Sequence, residues 1–323
     1  MIISRTPLRI SFAGGGTDIQ DFYGRNGGSV VSTTIDKYIY VIVKRNFIDR
    51  IHLRGSVNEE VDHVEQIRHD LVREALKKAE IQTGVDICIM ADIPSQGTGL
   101  GSSSSLTVGL LNALYTIQGS DVSAMELAKQ ACEIEIDILK NPIGKQDQYA
   151  AALGGLRHFQ FHPDGKVHSE SINLSDNQKQ EMDNRLLLFY TGINRSASAI
   201  LSQQVKKMGQ NMAMLQNLKD QSLELKKQFE RGNHAYLGGL LADGWRIKKS
   251  LTIEISNSHI DTWYENALNA GAEGGKIAGA GGGGFLLIYA EEEFHQAVRQ
   301  SLPLQELSFQ FENQGSAIVL NLD

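Results

Sequence analysis

Three glycine- or acid-bearing stretches of this 323-residue chain have residue types spaced for chemistry. The densest is Pro94-Ser-Gln-Gly-Thr-Gly-Leu-Gly-Ser-Ser-Ser-Ser105, where Gly97, Gly99 and Gly101 leave backbone amides bare and hydroxyls follow at once. Between a strand and a helix, such a loop presents free amides and the positive end of the helix dipole, which together make a site for phosphate. The serine hydroxyls can add donors or one metal ligand. No Lys-Ser or Lys-Thr closes the glycines, so this is not a Walker A loop. A loop that only turns the chain also uses glycine and serine, and the segment alone leaves both readings open.

The second stretch is a helix expected over Ser123 to Lys140, opened by the capping box Ser123-Ala-Met-Glu126. At about 100° per residue, Leu127, Ala128, Ala131, Cys132, Ile134, Ile138 and Leu139 share one face, and Glu135 falls in the middle of it. A buried carboxylate needs a cation, either a metal or a basic side chain. Asn141-Pro-Ile-Gly-Lys-Gln-Asp-Gln148 follows, with Asp147 where an N-cap or first-turn acid belongs. The same carboxylate could instead accept a proton from an attacking hydroxyl. The third stretch, Gly275-Lys-Ile-Ala-Gly-Ala-Gly-Gly-Gly-Gly284, formally contains GxGxxG, but it precedes a strand and opens no helix. That context excludes the dinucleotide fold, and the glycines instead imply close backbone approach to a ligand or to another segment.

The elements that must position these residues alternate along the chain. Leu8, Ile10 and Phe12 alternate with Arg9, Ser11 and Ala13 in a first strand that Gly14-Gly15-Gly16 stops. Strands are expected over Val30 to Val43 and Val85 to Met90, and helices over Val64 to Ala79 and from Ser102 through Leu114. Further helices are expected over Ser198 to Arg231, Tyr236 to Leu251 and Asp261 to Ala270, with a strand at Phe285 to Tyr289. The polar stretch Ser169 to Asn184 is the best boundary, giving an α+β chain with domains at 1–175 and 176–323.

Bulk composition narrows the class. A net charge of -7 gives no reason to expect nucleic acid or an anionic membrane as partner. No apolar run approaches the roughly 18 residues of a membrane span. Cys88 and Cys132 lack metal or redox spacing and suit reduced, buried thiols, so the expected compartment is the cytoplasm.

Together the segments resemble the three motifs of the GHMP kinases: Thr6-Pro-Leu-Arg-Ile10 with Gly14-Gly-Gly-Thr-Asp18, the Pro94 to Ser105 loop, and Lys276 to Gly284. The resemblance implies an N-terminal α/β domain with a left-handed βαβ unit and a ferredoxin-like C-terminal domain. It implies ATP on Pro94, Gly97, Gly99, Leu100, Gly101, Ser102, Ser103 and Ser104, Mg²⁺ on Ser103 and Glu135, and Asp147 as catalytic acid paired with Arg9. Glu135 precedes Pro142 by seven residues, as the family's metal-binding Glu does, while the loop from Gly144 to Asp147 is one residue longer than in mevalonate kinase-like sequences. Asp18, Gly15, Gly16, Thr17, Gly281 and Gly282 would meet the substrate.

Four runs, Arg5 to Asp18, Thr34 to Tyr38, Asn141 to Gln148 and Trp245 to Ser250, most resemble the members that phosphorylate D-glycero-D-manno-heptose 7-phosphate. Transfer from ATP to the anomeric hydroxyl is then expected, with a sugar or sugar phosphate as partner and a homodimer as the assembly to consider. Other sugars of the family, and a non-catalytic sensor of the same fold, are the alternatives. A phosphorylated acceptor needs a basic contact, and the candidates are Arg195 first, then Lys37, Lys44, Arg45 and Lys145.

Overall fold

A computed structural model describes residues 1–94, 97–194 and 197–322. The β-branched run after Gly27 forms one long strand, β2 (Gly28–Arg45), paired antiparallel along one edge with β1 (Ile2–Ala13). Three strands share the other edge of β2 in series. They are β5 (Val85–Ala91), β6 (Arg157–Phe161) and β12 (Phe311–Glu312). Outside these lie β3 (Ile51–Arg54), parallel to β5, then β4 (Glu59–Val61) beyond β3, β7 (Val167–Ser171) beyond β6, and β13 (Ala317–Asn321) beyond β1. The helix Ser102–Ile117 lies against β1 and β2 so closely that a Cβ on Gly109 would come 2.7 Å from Thr6 Oγ1.

The second sheet runs β11-β8-β10-β9, all antiparallel, from β8 (Leu186–Tyr190), β9 (Gly274–Ile277), β10 (Phe285–Tyr289) and β11 (Gln305–Glu306). Numbered from its own start this is the order 4-1-3-2 of a ferredoxin-like split βαβ unit. Its period-2 alternation makes it a wall between two cores. Leu186, Leu188, Phe285, Leu287 and Tyr289 face the core shared with the first sheet. Leu187, Phe189, Leu286 and Ile288 face a second core with Trp245 and Ile260.

Several expectations change in the folded chain. The 198–231 pattern is two helices, Ala197–Lys206 and Met212–Glu230, because the chain turns at Asn211, whose amide donates to the Leu251 carbonyl at 2.9 Å. The stretch 169–184 is regular: β7 ends at Ser171, and Ser175 with Gln178 forms a full capping box for the helix Asp176–Arg185. Ser123 accepts from the Glu126 amide, but the Glu126 carboxylate goes to Gln130 instead of back to the cap. The 64–79 pattern is a 3-10 turn, Val64–Gln66, and the helix Asp70–Lys78. A single cut at 175/176 does not divide the sheets, because β12 and β13 return to the first sheet. Among the described residues, no helix is long and apolar enough to cross a membrane.

His158 on β6 is buried, shares a 2.8 Å hydrogen bond with Ser29, and is pushed down by burial to a pKa of about 4. The unfolded chain takes this proton near pH 6.5, so the stability is complete above that value and is lost as pH falls toward 4. Unfolding free energies from urea titrations between pH 7.5 and 4.5 should fall by an amount on the order of 2–3 kcal/mol, and His158→Gln should flatten the decline. An equally steep decline in the variant would remove His158 as its source.

Candidate active site

β1 brings Arg9 to the mouth of the serine-rich loop, and the pair it forms defines the site. Arg9 Nε and Nη2 donate to the two carboxylate oxygens of Asp147 at 2.8 and 2.6 Å, and Nη1 donates to the Gly99 carbonyl at 2.5 Å. Arg9 is buried although it lies on the face of β1 opposite Leu8 and Ile10, because Asp147 and the Gly99 to Gly101 turn cover its side chain. Asp147 is in the first turn of the helix Gln146–Leu153 and caps nothing; its charge is held by Arg9. The extra residue after Gly144 therefore does not take Asp147 away from its expected partner.

Gly14, at φ +84°, ends β1 where a Cβ would lie 1.9 Å from the Ser29 carbonyl oxygen, and the turn delivers Asp18 to the same cleft. Asp18 accepts from the amides of Gly16 at 3.0 Å and Gln146 at 3.2 Å, clasping the motif-one turn to the Asp147 loop. Burial, and then the charge of Asp147, raise its pKa, while these amides oppose the rise.

Glu135 is fully buried, and its geometry departs from the regular helix expected there. The helix Ala124–Cys132 widens into a π-helical turn, Glu133–Ile138, so that Ile134 and Glu135 both point inward and Ile138 turns out to solvent. Gln148 donates to Glu135 Oε2 at 2.7 Å, and Oε1 has no hydrogen-bond partner. Burial raises the pKa of Glu135 to about 7, opposed by the nearby hydroxyls of Ser104 and Ser103 and by Gln148. An orphaned buried carboxylate oxygen beside serine hydroxyls is a hard-oxygen donor set that suits Mg²⁺. Among the described residues no group of three acidic, His or Cys side chains could cage a metal, so such an ion would need ligand phosphates as well.

The loop itself opens the helix Ser102–Ile117 from Gly101, which has φ +81°. The first-turn amides have no intrahelical acceptor, as at any helix start. Gly97, Gly99, Gly101 and Ser102 to Ser104 line a cleft of about 540 Å³ with Arg9, Asp18 and Asp147. Gly15 and Gly16 line it too.

The other expected contacts do not. Leu100 is buried and its carbonyl accepts from the Arg9 amide at 3.0 Å, while Pro94 is exposed away from the cleft. Thr17 is buried, and its hydroxyl donates to the Gly14 and Ser29 carbonyls. Gly281 packs on Ile255, and the Gly282 amide donates to the Ile255 carbonyl at 2.7 Å. The motif-three glycines thus approach protein. A Cβ on Gly279 would lie 2.6 Å from Gly99 Cα, and one on Gly284 2.4 Å from the Thr98 carbonyl oxygen.

The basic candidates also resolve. Lys37 pairs with Asp36, Lys44 with Asp86, Arg45 donates to the Ile117 carbonyl and Lys145 to the Gly165 carbonyl, all outside the cleft. Arg195 lies outside the described residues, although Asn194 and Ala197 line the cleft. The cleft's unexpected cations are Lys248 and Lys276. Lys248 breaks an apolar stripe of Leu237, Leu241, Trp245 and Leu251, the same signal that marked Glu135. Burial lowers its pKa to about 8, helped by Arg9 and opposed by Asp18 and Asp147. Burial, then Lys248 and Arg9, push Lys276 well below the usual lysine range.

A glycine-framed helix terminus, a guanidinium-clamped aspartate and two buried lysines meet in one cleft, an arrangement suited to phosphate chemistry. Profiles of known families agree: "GHMP kinases N terminal domain" matches residues 67–155 and "GHMP kinases C terminal" matches 225–303. The chain belongs to the GHMP kinases, which transfer phosphate from ATP to an alcohol acceptor. It is 30% identical over 90% of its length, and 89% of the relative's, to D-glycero-alpha-D-manno-heptose 7-phosphate kinase of Campylobacter jejuni. It is 25% identical to the L-fucokinase/L-fucose-1-P guanylyltransferase of Bacteroides fragilis, over 90% of this chain and 35% of that one. A crystal structure described as a D-glycero-D-manno-heptose 1-phosphate kinase from Bacteroides thetaiotaomicron superposes with TM-score 0.83 at 23% identity, covering both chains fully. A putative sugar kinase from Campylobacter jejuni superposes with TM-score 0.78 at 27% identity over 98% of both chains. The chain is accordingly a GHMP sugar kinase homologue.

Proposed function

We propose that this chain transfers the γ-phosphate of ATP to the anomeric hydroxyl of D-glycero-D-manno-heptose 7-phosphate, giving the 1,7-bisphosphate. The observation that carries the transfer is Asp147, held by two charge-assisted bonds from Arg9 at the head of the phosphate loop. The acceptor assignment is supported by the heptose 7-phosphate kinase relative, which aligns along nearly the whole chain.

In this reading the β- and γ-phosphates lie on the first-turn amides of the helix Ser102–Ile117. The adjoining cavity of about 350 Å³, walled by Ile39, Leu71, Ile89 and Leu106 and sharing Ser102 and Ser103 with the cleft, takes the base. Asp18 accepts hydrogen bonds from sugar hydroxyls, and Asp147 orients the attacking hydroxyl and takes its proton. Ser103 and Glu135 would hold Mg²⁺, which when bound neutralises charge on the phosphates. The test is ADP release measured over a panel of free and phosphorylated sugars. Phosphorylation of the free heptose as efficiently as its 7-phosphate would sink the acceptor assignment and leave the kinase.

Glu135→Gln should raise the Mg²⁺ concentration for half-maximal activity about tenfold while the fold persists, since metal-site changes cost on the order of 10- to 100-fold in affinity. If Glu135 serves packing alone, the Mg²⁺ titration stays in place and the melting temperature drops instead.

A further inference from the structure

Three basic side chains line the cleft among the described residues: Arg9, Lys276 and Lys248. The positive charge of Arg9 is matched by Asp147, and each of its three nitrogens already has an acceptor. Lys276 is turned to the end of β1, donating to the carbonyls of Ser11 at 2.8 Å and Phe12 at 3.5 Å. Lys248 stands apart. Its one hydrogen bond goes to the Gly279 carbonyl, which leaves two N–H groups of the ammonium for a ligand. Among the described residues it forms no ion pair, although it is buried.

Its anchor places it. Gly279 packs on Gly99, and the Gly99 carbonyl accepts from Arg9, which holds Asp147. Lys248 therefore reaches, from the second half of the chain, the place where the phosphate loop and the catalytic aspartate converge. The groups that face it are Arg9 and Lys276 on one side of the balance and Asp18 and Asp147 on the other. A buried ammonium with no carboxylate partner and spare donors is costly unless an anion arrives.

We infer that Lys248 is a catalytic residue whose ammonium contacts the phosphoryl group in flight. In the step it serves, the bond from the γ-phosphorus to the β,γ-bridging oxygen breaks and ADP leaves with that electron pair. A new bond forms from the same phosphorus to the acceptor oxygen, whose proton passes to Asp147. Lys248 keeps its own proton throughout and neutralises negative charge on the transferring oxygens, the task on which phosphoryl transfer chiefly depends. The inference rests on the family's phosphotransfer and not on the choice of heptose phosphate.

The experiment compares wild type with Lys248→Met and Lys248→Arg in two reactions, transfer to an accepted sugar and slow hydrolysis of ATP with water as acceptor. Lys248→Met should lower kcat about 100-fold in both, and Lys248→Arg should recover part of it. The acceptor KM and the affinity for a non-transferable ATP analogue should stay within about threefold, which marks an interaction made in the transition state. Unchanged turnover overturns the inference, as does an acceptor KM raised more than tenfold with kcat kept, which would make Lys248 a holder of the acceptor's own phosphate. A loss of ATP affinity equal to the loss of turnover overturns it too, in favour of ground-state binding. Should the Met variant fail to fold, Lys248→Gln is taken through the same measurements. Because the hydrolysis arm needs no sugar, it decides the role of Lys248 even if every heptose in the panel is refused.

Discussion

Asp147→Asn should lower kcat by roughly 10³- to 10⁴-fold while ATP still binds. The change keeps volume and removes both the proton acceptor and the charge, and general-base groups contribute about 10²- to 10⁴-fold. The bidentate geometry adds to the loss. Arg9 presents Nε to one carboxylate oxygen and Nη2 to the other, so an amide nitrogen at either position meets a donor with a donor. The side chain must rotate, and the hydroxyl it orients moves with it. The Arg9 bond to the Gly99 carbonyl is untouched, so the loop proposed to carry the donor phosphates should keep its shape. Steady-state kinetics beside calorimetry with a non-transferable ATP analogue separates the two effects. Near wild-type turnover would eliminate Asp147 as base and as orienting group.

The second large effect is expected at a residue with no functional group. A Cβ on Gly144 would lie 1.9 Å from Asp18 Oδ2 and 2.3 Å from Asp18 Cγ, well inside contact distance. Gly144 has no positive φ, so alanine suits its backbone, and the three atoms nearest the added Cβ all belong to Asp18. Asp18 must then leave the amides of Gly16 and Gln146 that it bridges, and the clasp between the motif-one turn and the Asp147 loop opens. Because a shift of about 1 Å can cost roughly 100-fold, and here the proposed sugar contact and the proposed base move together, Gly144→Ala should reduce kcat/KM about 10³-fold. It should also lower the melting temperature. The double variant Gly144→Ala/Asp18→Ala removes the clash and should recover the lost stability without recovering activity. If Gly144→Ala alone is as active as wild type, Asp18 is not held where the structure shows it.

How much of this was legible in the chain differs residue by residue. Glu135 was visible because a charge in the middle of an apolar stripe violates a local pattern, and burial followed. Lys248 violates the same pattern in the helix Tyr236–Leu251, three residues from Trp245, and the rule applied there would have marked it as well. Lys276 lay at the head of the third motif, but nothing local says that a lysine on a fully buried strand turns to the carbonyls of Ser11 and Phe12. Thr17, Gly281 and Gly282 show the reverse error. Their place beside family motifs suggested ligand contact, whereas folding gives the Thr17 hydroxyl to the Gly14 and Ser29 carbonyls and seats Gly281 and Gly282 on Ile255.

The amino-acid sequence by itself determined a glycine- and serine-rich loop opening a helix, the presence of a buried acid at 135, the strand that carries Arg9 and the α+β class. Each of these is written in residue types within one element, where the 2.0 and 3.6 periodicities and the bareness of glycine act locally. Only the tertiary structure decided what each charged group meets. The Arg9–Asp147 clasp joins residues 138 positions apart, Lys276 reaches β1 across 265, and β12 and β13 close the first sheet from the far end of the chain. Burial and charge pairing depend on such long-range neighbours. A lysine in a stripe or a glycine in a run therefore acquires its role only when another segment, remote in sequence, is packed against it.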